Sequence, residues 1–272
     1  LIEKNISKPQ NSSNTMNLLS KVGSYDFLVE PFHCDFSNRI FLGHLGNHLL
    51  NAADFHSNER GYGMDYLNTV HKTWVLSRFV MEMEKMPKAY DRITVDTWVE
   101  GVMRFFTSRN YAIRDTQGEC LGYGRSIWAM IDTDTRQPVD ILAERDGLIT
   151  KYIETDKPCP IQPFQRVKLS KEARCQRIVD TYYSDVDVNG HINSVKYIEH
   201  ILDLWNLDFY RHNRLQRFDI AYVAESHCGD KLHLFVDEAG EGEFCVQVMK
   251  QTTEDASDLK EVCRCKVKFV KE

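Results

Sequence analysis

The sequence predicts an α+β fold of two packed units, in each of which a long helix is wrapped by a curved antiparallel sheet. One observation behind this prediction is the order of elements, because a strand, a long helix and a meander of strands occur twice along the 272 residues. The other is an apolar stripe in each helix, at steps of three and four residues. The stripes are Leu42, Leu45, Leu49 and Ala52 in the first half, and Ile192, Val195, Ile198, Leu202 and Trp205 in the second.

The strands are predicted from β-branched and aromatic residues that alternate between short polar or glycine-bearing turns. In the first half they are WVLSRFVMEME, RITVDTWVEGV, RFFTSRNYAIRD and LGYGRSIWAMID. In the second half they are QRIVDTYY, RFDIAYVAES, KLHLFV, EFCVQVM and EVCRCKVKF, with a helix expected from about His191 to Trp205. Turns this short imply antiparallel neighbours.

Breaks in this pattern divide the chain into four predicted segments. They are an N-terminal tail (1–24), a first unit (25–155), a linker (156–176) and a second unit (177–272). The linker prediction depends on KPCPIQPFQ, which holds three of the seven prolines, and AERDGLITKYI before it is predicted to be a short helix. The polar residues 1–15 are interpreted as a loose tail or a non-native segment.

Composition excludes several classes of protein. The net charge of −6 gives no global reason to bind nucleic acid or an anionic membrane, and no apolar run of about 18 residues exists to span one. Eight cysteines without an apolar signal segment fit a reduced, cytoplasmic protein. Cys263 and Cys265 share the apolar face of a predicted strand, so they are interpreted as core residues rather than zinc ligands, and no metal or cofactor is predicted.

A weak internal match aligns the two halves. GHLGNHLLNAADFH lines up with GHINSVKYIEHILD when Gly43 is set on Gly190. In this alignment Asp187 corresponds to Ile40 and Asn189 to Leu42. The polar residues of the second half therefore have no predicted counterpart in the first.

Three polar residues, Asp187, Asn189 and His191, recur at every second position in DVDVNGH, just before the second helical pattern. One interpretation is helix capping, with Asn189 as the cap. The other is acyl-transfer chemistry, in which Asn189, His191 and the helix N-terminus polarise a carbonyl oxygen and a separate base activates water. The candidate base is Glu225, on a predicted strand where the side chains of Ser226 and His227 point to opposite faces.

DVDVNGHINSVKYIEHILD resembles the active-site segment of the acyl-acyl carrier protein (acyl-ACP) thioesterases of plants and bacteria. TWVLSRFVMEMEKMP, DRITVDTWVEGVMRFFTSRNYAIRD and SIWAMIDTDTRQP are similar to first-half segments of the same family, in the same order. The resemblance implies a tandem (double) hot-dog fold and hydrolysis of fatty acyl-ACP, with ACP and the fatty acyl chain as partners. The family's catalytic residues then fall on Asp187, Asn189, His191 and Glu225, while its neighbouring Cys is replaced by Ser226.

These residues predict direct attack by water, with Glu225 and His191 taking its proton, rather than an acyl-enzyme. Three alternatives stay open: an acyl-CoA thioesterase, a non-catalytic acyl-binding sensor on the same fold, and a dehydratase that would use Glu199. A tandem repeat is compatible with a monomer or a homodimer.

Two further features are candidates for binding the substrate. The aromatic residues Trp98, Phe105 and Trp128 are candidates to line an acyl channel, or else belong to the core. The basic stretch RVKLSKEARCQR, from Arg166 to Arg177, either steers the acidic ACP or is a solvated linker.

Overall fold

The computed structural model describes residues 18–253, 255 and 258–272. Within this part of the chain there are ten strands and four α-helices. The strands are β1 (Val22–Leu28), β2 (Lys72–Met83), β3 (Arg92–Val102), β4 (Phe106–Arg114), β5 (Cys120–Asp132), β6 (Arg174–Asp180), β7 (Asn213–Tyr222), β8 (Lys231–Gly240), β9 (Glu243–Gln251) and β10 (Leu259–Lys271). The helices are α1 (Leu42–Glu59), α2 (Met64–Leu67), α3 (Ser194–Leu202) and α4 (Leu207–His212).

All ten strands form one antiparallel sheet in the order β1-β3-β4-β5-β2-β7-β10-β9-β8-β6. The two halves of the chain occupy the two halves of the sheet, and they join where β2 pairs with β7 through Phe79 and Ile220. The main apolar core lies between one face of the sheet and the helices α1 and α3. Two helix-in-sheet units are therefore confirmed, and they share one continuous sheet.

The helices differ from the prediction at their ends. The second helix was expected from about His191 to Trp205, but α3 begins at Ser194, because the side chain of Asn193 accepts a hydrogen bond from the Val195 N–H and caps it. A separate helix, α4, follows and is capped by Asn206. The segment AERDGLITKYI lies in a 3-10 helix (Ile141–Tyr152) that is interrupted by non-helical backbone at residues 144–147.

The segment between the units, residues 153–173, crosses the sheet on the face opposite the helices, and we call it the crossing segment. Arginines on the strands beneath bind its carbonyl oxygens. Arg125 Nη2 donates to Cys159 O at 2.7 Å, Arg217 Nη2 donates to Gln162 O at 3.0 Å, and Arg264 Nη1 donates to Val167 O at 3.3 Å.

These three hydrogen bonds therefore fix the crossing segment to the sheet along much of its length. Strands β1 and β6 begin slightly before the predicted starts of the two units, at Val22 and Arg174. The unit boundaries themselves stay a prediction, and residues 1–15 lie outside the described residues.

Candidate active site

Asp187 closes the turn that carries the predicted site residues, and we call residues 187–191 the second-unit turn. Its carboxylate Oδ1 accepts the backbone N–H of Asn189 at 2.8 Å and that of His191 at 3.4 Å. Its own N–H donates to His191 O at 2.8 Å. Gly190 has φ +81°, a left-handed conformation that glycine adopts without steric cost. Asp187 therefore fixes the backbone on which Asn189 and His191 stand.

The backbone N–H groups of residues 189–193 are all used inside the protein. Gly190 N donates to Asp187 O at 3.0 Å, Ile192 N to Ser226 O at 2.9 Å, and Asn193 N to Asp185 O at 2.8 Å. Because α3 starts only after this stretch and Asn193 caps it, the capping role expected of Asn189 is wrong. The predicted polarisation of a carbonyl by helix N–H groups is likewise not available from these residues.

Glu225 lies in a loop and not, as predicted, on a strand, because β7 ends at Tyr222. The bond from Ile192 N to Ser226 O ties this loop to the second-unit turn. As a result, His191 Nε2 lies 3.3 Å from Glu225 Oε2, with the two side chains 25% and 37% exposed. The structure therefore brings His191 and Glu225 into direct contact at a solvent-accessible position, and Asn189, two residues before His191, is also exposed.

Other charged groups surround Glu225. Arg136, from the turn that follows β5 in the first unit, forms an ion pair with Glu225 Oε1. Lys250 Nζ donates to the backbone oxygen of Glu225 at 2.7 Å. The ring of His227 meets that of His191 edge-on at 5.1 Å between centroids. Sequence reasoning missed Arg136, although its segment SIWAMIDTDTRQP was among those that carried the family resemblance.

Ser226 is fully buried, whereas Cys228 and His227 are exposed. Among the described residues, no histidine, lysine or carboxylate makes a hydrogen bond with the Ser226 hydroxyl, so no base is aligned to activate it. This arrangement gives no support to a serine nucleophile at this position. Burial lowers the pKa of His200 below its usual value, and Asp185, 3.5 Å away, offsets only part of this effect.

The first unit contains the same turn at residues 35–39, the first-unit turn. Asp35 Oδ1 accepts the N–H of Ser37 at 2.8 Å and that of Arg39 at 3.2 Å, and Asp35 N donates to Arg39 O at 2.8 Å. Asn38 takes the left-handed place of the glycine, with φ +63°. The predicted internal alignment is therefore wrong in register, since the true counterpart of Asp187 is Asp35.

The loop that carries Glu225 also repeats. Ile40 N donates to Pro87 O at 3.0 Å, as Ile192 does to Ser226. Lys88 N donates to Asp91 Oδ2 at 2.8 Å, which matches the 2.9 Å bond from His227 N to Asp230 Oδ2. The chain therefore has Arg39 and Met86 at the places that His191 and Glu225 occupy in the second unit. The framework is duplicated, but the acid and the imidazole are present once.

The three aromatic candidates for an acyl channel do not share a surface. Trp98 is fully buried on the face of the sheet where Lys157 of the crossing segment lies over its ring. Trp128 packs against the main core, and its indole N–H donates to Ser126 Oγ at 2.7 Å. Phe105 lies in the turn between β3 and β4, under the guanidinium of Arg104. The interpretation as core therefore holds for both tryptophans.

Two kinds of feature are absent from the part of the chain that the structure describes. No group of three or more His, Cys, Asp or Glu side chains there is placed to hold a metal ion. No helix there combines the length and the apolar character needed to cross a membrane.

Comparison with known proteins identifies the family. Residues 21–148 match the acyl-ACP thioesterase N-terminal domain, and residues 169–271 match the C-terminal domain. The chain is 47% identical to an acyl-ACP thioesterase from Bacteroides thetaiotaomicron of known crystal structure, over 92% of this chain and 98% of that one, with a TM-score of 0.84. The 12:0-ACP thioesterase from Umbellularia californica has the same fold at 20% identity, with a TM-score of 0.77 over 94% and 99% of the two chains.

Curated plant relatives agree. The chain is 26% identical to a chloroplastic palmitoyl-acyl carrier protein thioesterase from Gossypium hirsutum, over 76% of this chain and 52% of that protein. It thus spans about half the length of such relatives. The predicted tandem hot-dog fold is confirmed, and the chain belongs to the acyl-ACP thioesterase family.

Proposed function

We propose that this protein hydrolyses the thioester of fatty acyl-ACP, releasing a free fatty acid and the ACP thiol. The single observation that carries the proposal is the contact between His191 Nε2 and Glu225 Oε2 at 3.3 Å, on two loops tied together by a backbone hydrogen bond. A carboxylate and an imidazole in contact, partly open to solvent, can take a proton from water. Family membership supplies the substrate class.

In the proposed reaction, a water oxygen attacks the thioester carbonyl carbon while its proton passes to the Glu225–His191 pair. The carbonyl oxygen becomes an oxyanion, and the side-chain amide of Asn189 donates a hydrogen bond to it. When the tetrahedral intermediate collapses, the carbon–sulfur bond breaks and the proton is returned to the leaving thiolate. Asp187 does not take part directly, and its role is to hold the turn.

Binding of ACP is part of the proposal. The five basic residues of the stretch 166–177 are all exposed, so their charges face solvent. They can attract an acidic protein at long range, and this attraction is weakened by salt. A cytoplasmic location and a monomeric or homodimeric state stay predictions.

The test is hydrolysis of acyl-ACP and acyl-CoA of matched chain length by the purified chain and by three variants. His191→Ala and Glu225→Ala should abolish most turnover without loss of folding by circular dichroism. Arg39→Ala, which alters the first-unit counterpart of His191, should leave turnover unchanged. The proposal would be contradicted if the unmodified chain hydrolysed no acyl-ACP. Faster turnover of acyl-CoA than of acyl-ACP would show that the substrate is an acyl-CoA thioester.

A further inference from the structure

One side chain from the first unit reaches the Glu225 carboxylate in the second. Arg136 Nη2 pairs with Glu225 Oε1, while Glu225 Oε2 faces His191 Nε2 at 3.3 Å. Both carboxylate oxygens are therefore occupied, each by a different residue. An arginine and a histidine on separate oxygens fix the plane of a carboxylate better than either contact alone.

The turn that carries Arg136 is held firmly on the first unit. Asp132 Oδ1 accepts the backbone N–H groups of Asp134 at 3.0 Å and Thr135 at 2.7 Å, and Asp132 O accepts that of Arg136 at 2.9 Å. Thr133 N donates to His71 O at 2.9 Å. The base of the Arg136 side chain is thus anchored before it crosses to the second unit.

The backbone of Arg136 is itself unusual. Its φ is +60°, in the left-handed region where glycine and asparagine are favoured and other residues are strained. A turn of this shape would form more easily with glycine at this position. A strained residue whose side chain reaches a candidate catalytic group is typical of a functional requirement rather than a folding requirement.

The other charged groups near Glu225 do not pair with its carboxylate. Lys250 contacts the backbone oxygen of Glu225, and its ammonium lies 3.7 Å from Asp230 Oδ2. Asp230 in turn accepts the N–H of His227 at 2.9 Å. Among the described residues, the ion pairs of the Glu225 carboxylate are with Arg136 and His191.

We propose that Arg136 is a positioning residue for the hydrolysis, and this rests on the proposed function. It holds Glu225 by one oxygen so that the other faces His191 and the attacking water. The site of the second unit is then complete only when the first unit supplies this arginine. The first unit then takes part in the proposed chemistry as well as in the fold, because its Arg136 orients the proposed base, Glu225.

Arg136→Gly is the sharpest variant, because glycine keeps the left-handed backbone and removes only the side chain. We expect kcat to fall by about 10²-fold, as is typical when a reacting group loses its alignment, with little change in KM. Arg136→Lys should recover part of the loss, since it keeps a cation but not the planar fork. In a Glu225→Gln background, Arg136→Gly should cause no further loss.

Tyr90→Gly is the matched control. Tyr90 is exposed and has φ +72°, and its N–H bonds to Val29 O as that of Gly229 bonds to Thr181 O in the second unit. Both glycine variants should melt close to the unmodified protein, because the relief of backbone strain is offset by the greater conformational entropy of glycine in the unfolded chain. Only Arg136→Gly should slow turnover, since Tyr90 makes no contact with Glu225 or His191.

Crystal structures of the unmodified protein and of Arg136→Gly give a readout that needs no turnover. We expect Glu225 Oε2 to leave His191 in the variant, and an unchanged contact would overturn the positioning role even if no acyl-ACP were hydrolysed. If the unmodified chain is active and Arg136→Gly keeps its full kcat, the positioning role is equally wrong. If the unmodified chain is inactive, the proposed function fails on its own.

Discussion

Asp35 and Asp187 close the same turn in the two units, and each carboxylate accepts a backbone hydrogen bond at 2.8 Å from the residue two positions later. The two aspartates therefore make equivalent contributions to the backbone. Only Asp187 supports residues that are proposed to react. A comparison of the two aspartates therefore distinguishes the contribution of the turn to stability from its proposed contribution to catalysis.

The first prediction compares Asp35→Ala with Asp187→Ala. Each variant should lose about 1 kcal/mol of unfolding free energy, as expected when a turn loses its side-chain acceptor. Only Asp187→Ala should also lose turnover of acyl-ACP, because Asn189 and His191 are no longer held. Urea denaturation and steady-state kinetics measure the two effects, and an equal loss of turnover in Asp35→Ala would contradict the assignment of the site to the second unit.

The second prediction concerns Asn189, whose side chain is exposed and contacts Asp187 Oδ2 only weakly, at 3.4 Å. Asn189→Ala should lower kcat by ~10²–10³, the usual effect of removing a donor to an oxyanion. Its melting temperature should stay near that of the unmodified protein. Ser37→Ala, at the matching place in the first-unit turn, is the control, and a normal rate in Asn189→Ala would remove Asn189 from the mechanism.

The third prediction tests electrostatic steering of ACP. Raising salt should increase KM for acyl-ACP far more than KM for a small uncharged thioester, because screening acts on the long-range attraction between the basic stretch 166–177 and an acidic protein. Charge reversal by Lys168→Glu and Lys171→Glu should reproduce the effect at low salt. Equal salt sensitivity for both substrates would leave the stretch as part of the linker alone.

The fourth prediction concerns the pH dependence of stability and His56, a fully buried residue of α1. Burial, with help from Arg109 and Arg60, lowers the pKa of His56 from 6.5 to about 2. The folded protein therefore keeps His56 neutral, while the unfolded chain binds a proton below pH 6.5. The stability that depends on neutral His56 is complete above pH 6.5 and is lost as the pH falls towards 2.

The measurement is urea denaturation at pH 7.5, 6.5 and 5.5 for the unmodified protein and for His56→Gln. Between pH 7.5 and 5.5 the unmodified protein should lose about 1.4 kcal/mol more unfolding free energy than the variant. Glutamine does not titrate, and its amide offers one donor and one acceptor in place of the two ring nitrogens that contact Lys21 O and the Tyr62 hydroxyl. Parallel curves for the two proteins would show that His56 already binds a proton in the folded state.

The element order and the apolar stripes were predictable because they depend on local pattern. Motif resemblance selected His191 and Glu225, which the structure brings into contact, and their catalytic roles stay a prediction. The start of α3 was not, since Asn189 and Asn193 are both good caps and only tertiary bonds to Asp185 and Ser226 decide between them. The pair Arg136–Glu225 was also beyond prediction, because it depends on how the two units pack.

The register of the repeat could have been found. DFSNRI at residue 35 and DVNGHI at residue 187 share an aspartate, a left-handed position filled by Asn or Gly, and a buried isoleucine. The apolar helical match obscured this shorter signal.

The crossing segment is the covalent connection between the two halves, but the halves are also held together by other contacts. Since strand pairing between β2 and β7 and the contact of α1 with α3 join the halves, the covalent connection is not what keeps them together. The exposed turn at Lys171 and Glu172 is a place where the chain can be divided. If one fragment ends at Lys171 and a second begins at Glu172, the two should assemble into one particle when they are co-expressed. The crossing segment, which stays on the first fragment, should then bind again to the strands of the second.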